Sequence, residues 1–400
     1  MKKRAESDRP WRLHPCRNAE SEGLMNYRNA WIYSPSFTFV KGGFSVENGE
    51  FCNVGEEKED AVDLAGAYVI PGLIDIHNHG NSNADFSDGC YDGDVLMAKY
   101  LANQGITSFA PATMTLPYET IANALAAGLQ LKKHPQPGCS RLLGVQMEGP
   151  FFSEKKKGAQ NAEYLRLPDY EAFQKLYNDS EGLIRIVDLA PELLGSVDFV
   201  RNASKLCTVS IAHTDAAYED AKAAVDAGAT HLTHLFNAMP PIHHRKPGVI
   251  GACSENDRVF AELICDGIHV HPASVRMAFK LFGADRMVLI SDALRCCGMP
   301  EGEYELGGQQ VFLKAHDAAR LADGTIAGSA TNLYECMCNA VAFGISREDA
   351  IRAATWNPAH QIHALDCVGS IEDGKYADFV ICDESLCRKQ VFLGGEPVHD

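Results

Sequence analysis

Leu142-Leu143-Gly144-Val145-Gln146-Met147-Glu148-Gly149-Pro150 reads as a buried apolar strand that ends on a single carboxylate and is stopped by Gly-Pro. The same arrangement recurs elsewhere. Apolar runs also end in Ile74-Asp75-Ile76-His77-Asn78-His79, Ala212-His213, His231-Leu232-Thr233-His234 and Ser291-Asp292. Side chains presented from the tips of several parallel strands are how a barrel of eight strand–helix units assembles an active site.

Outward from that run, strand signals fall at 73–77, 106–110, 142–147, 184–189, 207–212, 231–235, 260–265 and 286–290. Amphipathic helices lie between them, for example 216–227 closed by Gly228 and 272–282 opened by Pro272 and closed by Gly283. This regular alternation predicts parallel strand–helix units, and eight of them predict an α/β fold of the (β/α)8 TIM type. A doubly wound open sheet competes, but no Gly-rich phosphate fingerprint follows the first strand.

Both chain ends read differently. Ala30-Trp31-Ile32-Tyr33, Phe37-Thr38-Phe39-Val40, the turn Glu47-Asn48-Gly49-Glu50, and Tyr68-Val69-Ile70 are short β-like pieces, and 369–381 has the same character. Neither end can bury a core alone, so the two are expected to pair as one small β-sandwich domain, 25–70 with 368–400, around a barrel at 71–367. Residues 1–24 lack apolar periodicity and are expected to be a disordered leader.

A chain with 46% hydrophobic and 22% charged residues is globular, and a net charge of −17 argues against nucleic acid or anionic membrane as partner. An anionic substrate would need a local cationic pocket. No stretch approaches the ~20 apolar residues of a membrane span, and the first 24 residues lack the apolar core of a secretory signal, so the expectation is cytoplasmic. Fourteen cysteines then read as reduced thiols. Cys296-Cys297 and Cys336-x-Cys338 suggest a metal clip, but i,i+2 neighbours on a helix point apart.

The tip residues carry the chemistry. His77 and His79 project from the same side of an extended chain, so both can bind one ion. With Glu148, His213, His234 and Asp292 they offer four imidazoles and two carboxylates, enough for one or two divalent ions, zinc or iron. Each has a plainer alternative: a lone histidine is commonly just hydrogen-bonded, and Asp292 also suits a helix N-cap.

Pro71-Gly72-Leu73-Ile74-Asp75-Ile76-His77-Asn78-His79 resembles the amidohydrolase superfamily. Met147-Glu148-Gly149-Pro150-Phe151, Thr233-His234-Leu235-Phe236-Asn237-Ala238-Met239-Pro240, Arg245-Lys246-Pro247-Gly248, Asp266-Gly267-Ile268-His269-Val270 and Ser291-Asp292-Ala293 resemble its N-acetylglucosamine-6-phosphate deacetylase family. The resemblance implies hydrolysis of the acetamide of N-acetyl-D-glucosamine 6-phosphate to D-glucosamine 6-phosphate and acetate. It implies that Glu148, His213 and His234 bind the ion common to the family, and that His77 and His79 bind a second ion carried by some members. Many binuclear relatives use a carboxylated lysine on strand four; 184–192 has none, which leaves Glu148 as the bridge. Asp292 is suited to move the water proton to the amine, and His269 to donate to the acetamide oxygen. By the same resemblance Ala159, Asn237, Ala238, Ile326, Ala327 and Gly328 line the sugar pocket. Arg245, a planar fork for phosphate, reaches the neighbouring subunit's substrate in that family, which implies a homodimer.

The chain departs from the family's common form at Ala293-Leu294-Arg295-Cys296-Cys297-Gly298-Met299, where many members have a small Thr/Ala/Pro-rich turn. Arg295 is expected to add a cation at the substrate mouth, which keeps N-acetylgalactosamine 6-phosphate as an alternative substrate. Two rivals are a dihydroorotase-like cyclic amide hydrolase and a catalytically silent barrel kept as an interaction protein.

Overall fold

The computed structural model describes residues 23–399. The leader expected over 1–24 therefore lies, apart from its last two positions, outside the described residues.

Strands from both ends share one eight-stranded sheet: Met25–Tyr33, Phe39–Glu47, Glu50–Cys52, Val62–Asp63, Tyr68–Pro71, Phe379–Cys382, Arg388–Leu393 and Glu396–Pro397. Phe39–Glu47 turns into Glu50–Cys52 through Asn48-Gly49, whose φ angles of 54° and 79° are both left-handed. A two-residue turn of this hand matches the strand twist, and Asn-Gly accepts it at least cost. The sheet bends over itself: Phe51 N donates to Lys375 O at 2.9 Å and Gly395 N to Ala377 O at 2.8 Å. A Cβ at Gly395 would stand 2.5 Å from Val46 Cγ1, so this approach requires glycine. Tyr27, Phe44, Phe51 and Phe379 fill the enclosed core, each fully buried ring contributing roughly 1.5–3 kcal/mol.

Between these ends, parallel strands alternate with helices, as expected. Leu73–Asp75, Ile106–Phe109 and Arg141–Leu142 form a three-stranded parallel sheet. Val145–Phe151, Ile184–Leu189, Thr208–Ile211, His231–Leu232, Phe260–Ile264 and Met287–Ile290 form a six-stranded one. The third expected strand is thus two pieces that face different neighbours. They part at Gly144, where a Cβ would lie 2.1 Å from Arg185 Cγ. Gln146 keeps the sheets in touch by donating from N to Pro111 O at 2.9 Å and accepting from Thr113 N at 3.0 Å. At the other side Asp292 N donates to His77 O at 2.9 Å and Ser291 Oγ to Asp75 Oδ2 at 2.5 Å. Almost every residue of these strands is buried, as parallel strands covered on both faces must be.

Tyr218–Ala227 stops at Gly228 and Pro272–Phe282 starts on its proline and stops at Gly283, as the sequence indicates. One element is additional. Gly302–Leu306, Gln309–Leu313, Ala319–Leu321 and Ile326–Gly328 make a four-stranded antiparallel sheet after the eighth parallel strand. Leu306, Val311 and Ala319 pack there against Met114, Leu294 and Cys296, and Gln309 Nε2 donates to the Ala159 carbonyl. All thirteen cysteines among the described residues are free.

Helix Tyr91–Asn103 buries Asp94 with neither carboxylate oxygen hydrogen-bonded among the described residues. Burial, and then the charges of Asp85 and Asp88, push its carboxyl up to about 8. A group raised on folding gives its full stability below its unfolded value of about 4 and loses it as pH climbs to the folded value. Asp94→Asn should therefore raise the urea midpoint far more at about pH 8 than at about pH 5. Equal gains at both would show that the carboxyl is not protonated on folding.

Candidate metal centre and active site

Four candidate ligands stand just beyond strand ends: His77 after Leu73–Asp75, His213 after Thr208–Ile211, His234 after His231–Leu232 and Asp292 after Met287–Ile290. Glu148 lies within Val145–Phe151. At His213, His234 and Asp292 φ is 43°, 31° and 49°. This left-handed region costs a non-glycine residue on the order of 1 kcal/mol, a strain typical of functional sites. It also turns the chain out of the pleat where the ligand stands, which is why the sixth strand stops at Leu232 and not at the expected 235.

The six side chains converge. Glu148 Oε1 lies 3.2 Å from His213 Nε2, 3.4 Å from His234 Nε2 and 3.6 Å from His77 Nε2, while its Oε2 lies 3.4 Å from His79 Nε2. Asp292 Oδ1 is 3.4 Å from His79 Nε2 and 3.7 Å from His77 Nε2. Two sets of three result, His77 with His79 and Asp292, and Glu148 with His213 and His234; within each set the donor atoms lie within 4.8 Å of one another.

These residues fit a metal ion. His77 Nδ1 faces Glu262 Oε2 at 2.9 Å, and its buried Nε2 has no hydrogen-bond partner among the described residues. His213 Nδ1 faces the Lys156 carbonyl at 2.9 Å, which can only accept. Both rings thus spend Nδ1–H outward and leave Nε2 to carry either a proton or an ion. Nearly water-free imidazoles and carboxylates are the donors that zinc and iron take.

The electrostatics agree. Burial alone would raise the Glu148 carboxyl, but His213 and His234, with the charges of His79 and His77, outweigh it and hold it well below the usual carboxylate range. Burial would lower His77, yet Glu262, Glu148 and Asp292 lift it well above the ordinary imidazole value. Burial would also raise Asp292, and His79, His77 and His234 bring it below normal. The carboxylates are ionised, and protons compete with an ion for the rings.

Two neighbours escape the sequence reading. Glu262, fully buried in Phe260–Ile264, accepts with Oε2 from His77 Nδ1 and from His234 N at 3.1 Å, while Oε1 faces His231 Nε2 at 3.0 Å. Its signal was available: a charge in the middle of a strand with both faces covered needs partners. Gln160 donates from Nε2 to Glu148 Oε2 at 2.7 Å and accepts from Thr115 N at 2.7 Å. Nothing in its local sequence marks it.

His269 is oriented by Asp266, whose Oδ2 lies 2.6 Å from Nδ1 and whose Oδ1 accepts from Ile268 N and His269 N, both at 2.8 Å. Of the expected sugar-pocket residues, Ala159 follows Gly158, whose Cβ position is 3.5 Å from the His213 ring. Asn237 Nδ2 donates to His234 O at 3.3 Å, and Ala238 O accepts from Thr214 N at 3.0 Å. Ile326, Ala327 and Gly328 run beside the eighth tip, where Ser329 N donates to Asp292 O at 2.8 Å. Arg245 lies on an exposed loop, its Nη1 2.7 Å from His244 Nε2. Arg295 is not the spare cation expected of it: Nη2 lies 2.8 Å from Asp88 Oδ1 and 3.9 Å from Asp85 Oδ2, so two carboxylates already neutralise it.

The pattern of the Amidohydrolase family matches residues 68–398, and the chain belongs to that family. It is similar to the curated Bacillus subtilis protein named N-acetylglucosamine-6-phosphate deacetylase, 37% identical over 88% of this chain and 93% of that protein. An Escherichia coli O157:H7 protein named N-acetylgalactosamine-6-phosphate deacetylase is 35% identical over 82% of this chain and 87% of its own length. Among solved structures, a mutant N-acetyl-D-glucosamine-6-phosphate deacetylase from Mycobacterium smegmatis, in complex with N-acetyl-D-glucosamine-6-phosphate, superposes with a TM-score of 0.86 at 30% identity, covering 94% of this chain and 99% of that one.

Glu148→Gln should weaken binding of divalent ions at both donor sets by more than about 100-fold in a chelator competition. Loss at one set only would show that Glu148 is not shared. In the unaltered chain, His77 and His79, both raised, release their protons at higher pH than a free imidazole. Ion affinity should therefore keep rising above about pH 6.5.

Proposed function

We propose that this chain hydrolyses the acetamide of N-acetyl-D-glucosamine 6-phosphate, giving D-glucosamine 6-phosphate and acetate. The observation that carries the reading is the convergence of all six expected ligands into two buried donor sets, in a chain whose relatives named above are deacetylases of this kind. One or two divalent ions, zinc or iron, are the proposed cofactors. A divalent ion held there lowers the pKa of water and polarises a carbonyl.

The residues divide the remaining work. Asp292 is ionised and faces both imidazoles of the first set, so it can take a proton from the attacking water. Once water oxygen has joined the carbonyl carbon, the same carboxyl returns that proton to the amide nitrogen. The C–N bond breaks and acetate forms. His269, its Nδ1 occupied by Asp266, is left to donate through Nε2–H to the acetamide oxygen when the ring carries both protons. Ala159, Asn237, Ala238, Ile326, Ala327 and Gly328 are assigned to the sugar. Arg245, on an exposed loop, is assigned to the phosphate of a second subunit's substrate in a homodimer.

The finer architecture belongs to the same reading. The two parallel sheets are taken as one (β/α)8 barrel over 71–367 that closes between the first and eighth strands, and the end-derived sheet, 25–70 with 368–400, as a sandwich. No helix among the described residues is long and apolar enough to cross a membrane; a cytoplasmic location goes with a sugar-phosphate substrate.

Acetate release from the two epimeric N-acetylhexosamine 6-phosphates, with added zinc or iron, tests the reading; no release from the gluco epimer would end it, and faster release from the galacto epimer would shift the substrate. Asp292→Asn should reduce turnover to below a few percent, roughly 2 kcal/mol or more of lost barrier lowering, with an ion still bound at Glu148, His213 and His234. Arg245→Ala should raise KM for the phosphorylated sugar much more than for the unphosphorylated one. Equal effects on both would refute its assignment to the phosphate.

A further inference from the structure

We propose that Glu262 is the positioning residue common to both donor sets. The inference rests on the reading of the six side chains as a metal centre. A single oxygen, Oε2, accepts from His77 Nδ1 at 2.9 Å, in the first set, and from the backbone N of His234 at 3.1 Å, in the second. The first contact fixes which nitrogen of His77 points inward. A carboxylate can only accept from Nδ1–H, so Nε2, buried and with no hydrogen-bond partner among the described residues, is left for the ion. The second contact holds a residue at φ 31°. The main chain of Glu262 grips the next residue as well, its carbonyl accepting from Leu235 N at 2.8 Å. Side chain and backbone of one residue thus set both the turn and the ligand it presents.

The carboxylate is itself immobilised. Oε1 faces His231 Nε2 at 3.0 Å, His231 Nδ1 faces Gln361 Oε1 at 2.9 Å, and Gln361 Nε2 faces His360 Nδ1 at 3.1 Å. Glu262 is fully buried in the strand Phe260–Ile264. A buried carboxylate costs several kcal/mol in desolvation unless its partners compensate, and here two imidazoles and a backbone N–H surround it. Glutamine removes the charge. With its oxygen on His231 its NH2 opposes the His77 and His234 donors; reversed, it meets all three partners only with a neutral oxygen in place of the carboxylate and with His231 accepting through Nε2.

The test compares the whole metal-free chain with Glu262→Gln, titrated with Co²⁺ and followed by visible absorption, with Zn²⁺ measured by chelator competition. Both binding steps are expected to weaken by about 10–100-fold with an unchanged circular dichroism spectrum. In a His79→Gln background, which keeps the Glu148, His213 and His234 set, the same change should still weaken binding about tenfold. On the reloaded enzyme kcat should fall while KM for the sugar phosphate stays within about twofold, a split that general loosening of the fold would not give. A folded variant with both affinities within about twofold of the parent overturns the positioning role; loss confined to the His77 step overturns the shared role. Should the variant not fold, the imidazole ¹⁵N spectrum of the unaltered metal-loaded chain decides: His77, assigned by its absence in His77→Asn, is expected with the proton on Nδ1, and a proton on Nε2 overturns the proposal. A parent chain that binds no divalent ion would instead defeat the metal-centre reading itself.

Discussion

A carboxylate sealed from water costs several kcal/mol unless donors surround it, and Glu148 is 2% exposed. Its surroundings come from distant parts of the chain: His77 and His79 near one end, Gln160 in the loop that follows, His213 and His234 beyond. Satisfying that one charge requires the strand tips to meet at one point. The left-handed turns at His213 and His234 present their rings to that point.

The same interior treats another carboxylate in the opposite way. Asp188, on Ile184–Leu189, accepts on its Oδ2 from Gln146 Nε2 at 2.9 Å and Thr233 Oγ1 at 3.2 Å, and among the described residues no cation hydrogen-bonds to it. Burial, then the charges of Glu262 and Glu148, raise it well above the usual range. Its surroundings favour the neutral acid where those of Glu148 favour the anion, the difference being neighbours and not burial. The fourth strand therefore contributes structure to the centre while the charge sits on Glu148 and Asp292. Arg295 follows similar logic: between Asp85 and Asp88 it ties the loop after the eighth strand to the loop after the first, and its charge is consumed locally.

What was legible in the sequence follows from how local each cause is. Ile184–Leu189 and Pro272–Phe282 were readable to the residue, because a short β-branched apolar run, and a helix opened by proline and closed by glycine, are written in consecutive positions. The six converging side chains were readable as a group from their place at the ends of apolar runs. The sheet at 302–328 was not: strands such as Gly302–Leu306 are mostly exposed, and their few apolar residues find a core only against Met114 and Leu294. Gln160 was not legible for the same reason, since its partner Glu148 is reached only through the fold. Glu262 is legible in principle, as a charge in a buried strand, but it stands in mid-strand and not at a tip. The neutralisation of Arg295 depends on Asp85 and Asp88, far away in sequence.

The sheet assembled from both chain ends has a consequence for biosynthesis. Pro71 pairs with Phe379, about 300 positions later, so joining them closes a very long loop, at an entropic cost that grows only with the logarithm of its length. The equilibrium penalty is small, but the delay is not. On a chain made from its N-terminus, the first strands leave the ribosome with apolar faces such as Tyr27, Phe44 and Phe51 uncovered until Phe379 arrives. About 300 further residues must be made before those strands can be shielded, and through that interval they are an exposed template that a chaperone, or another nascent chain, can occupy first.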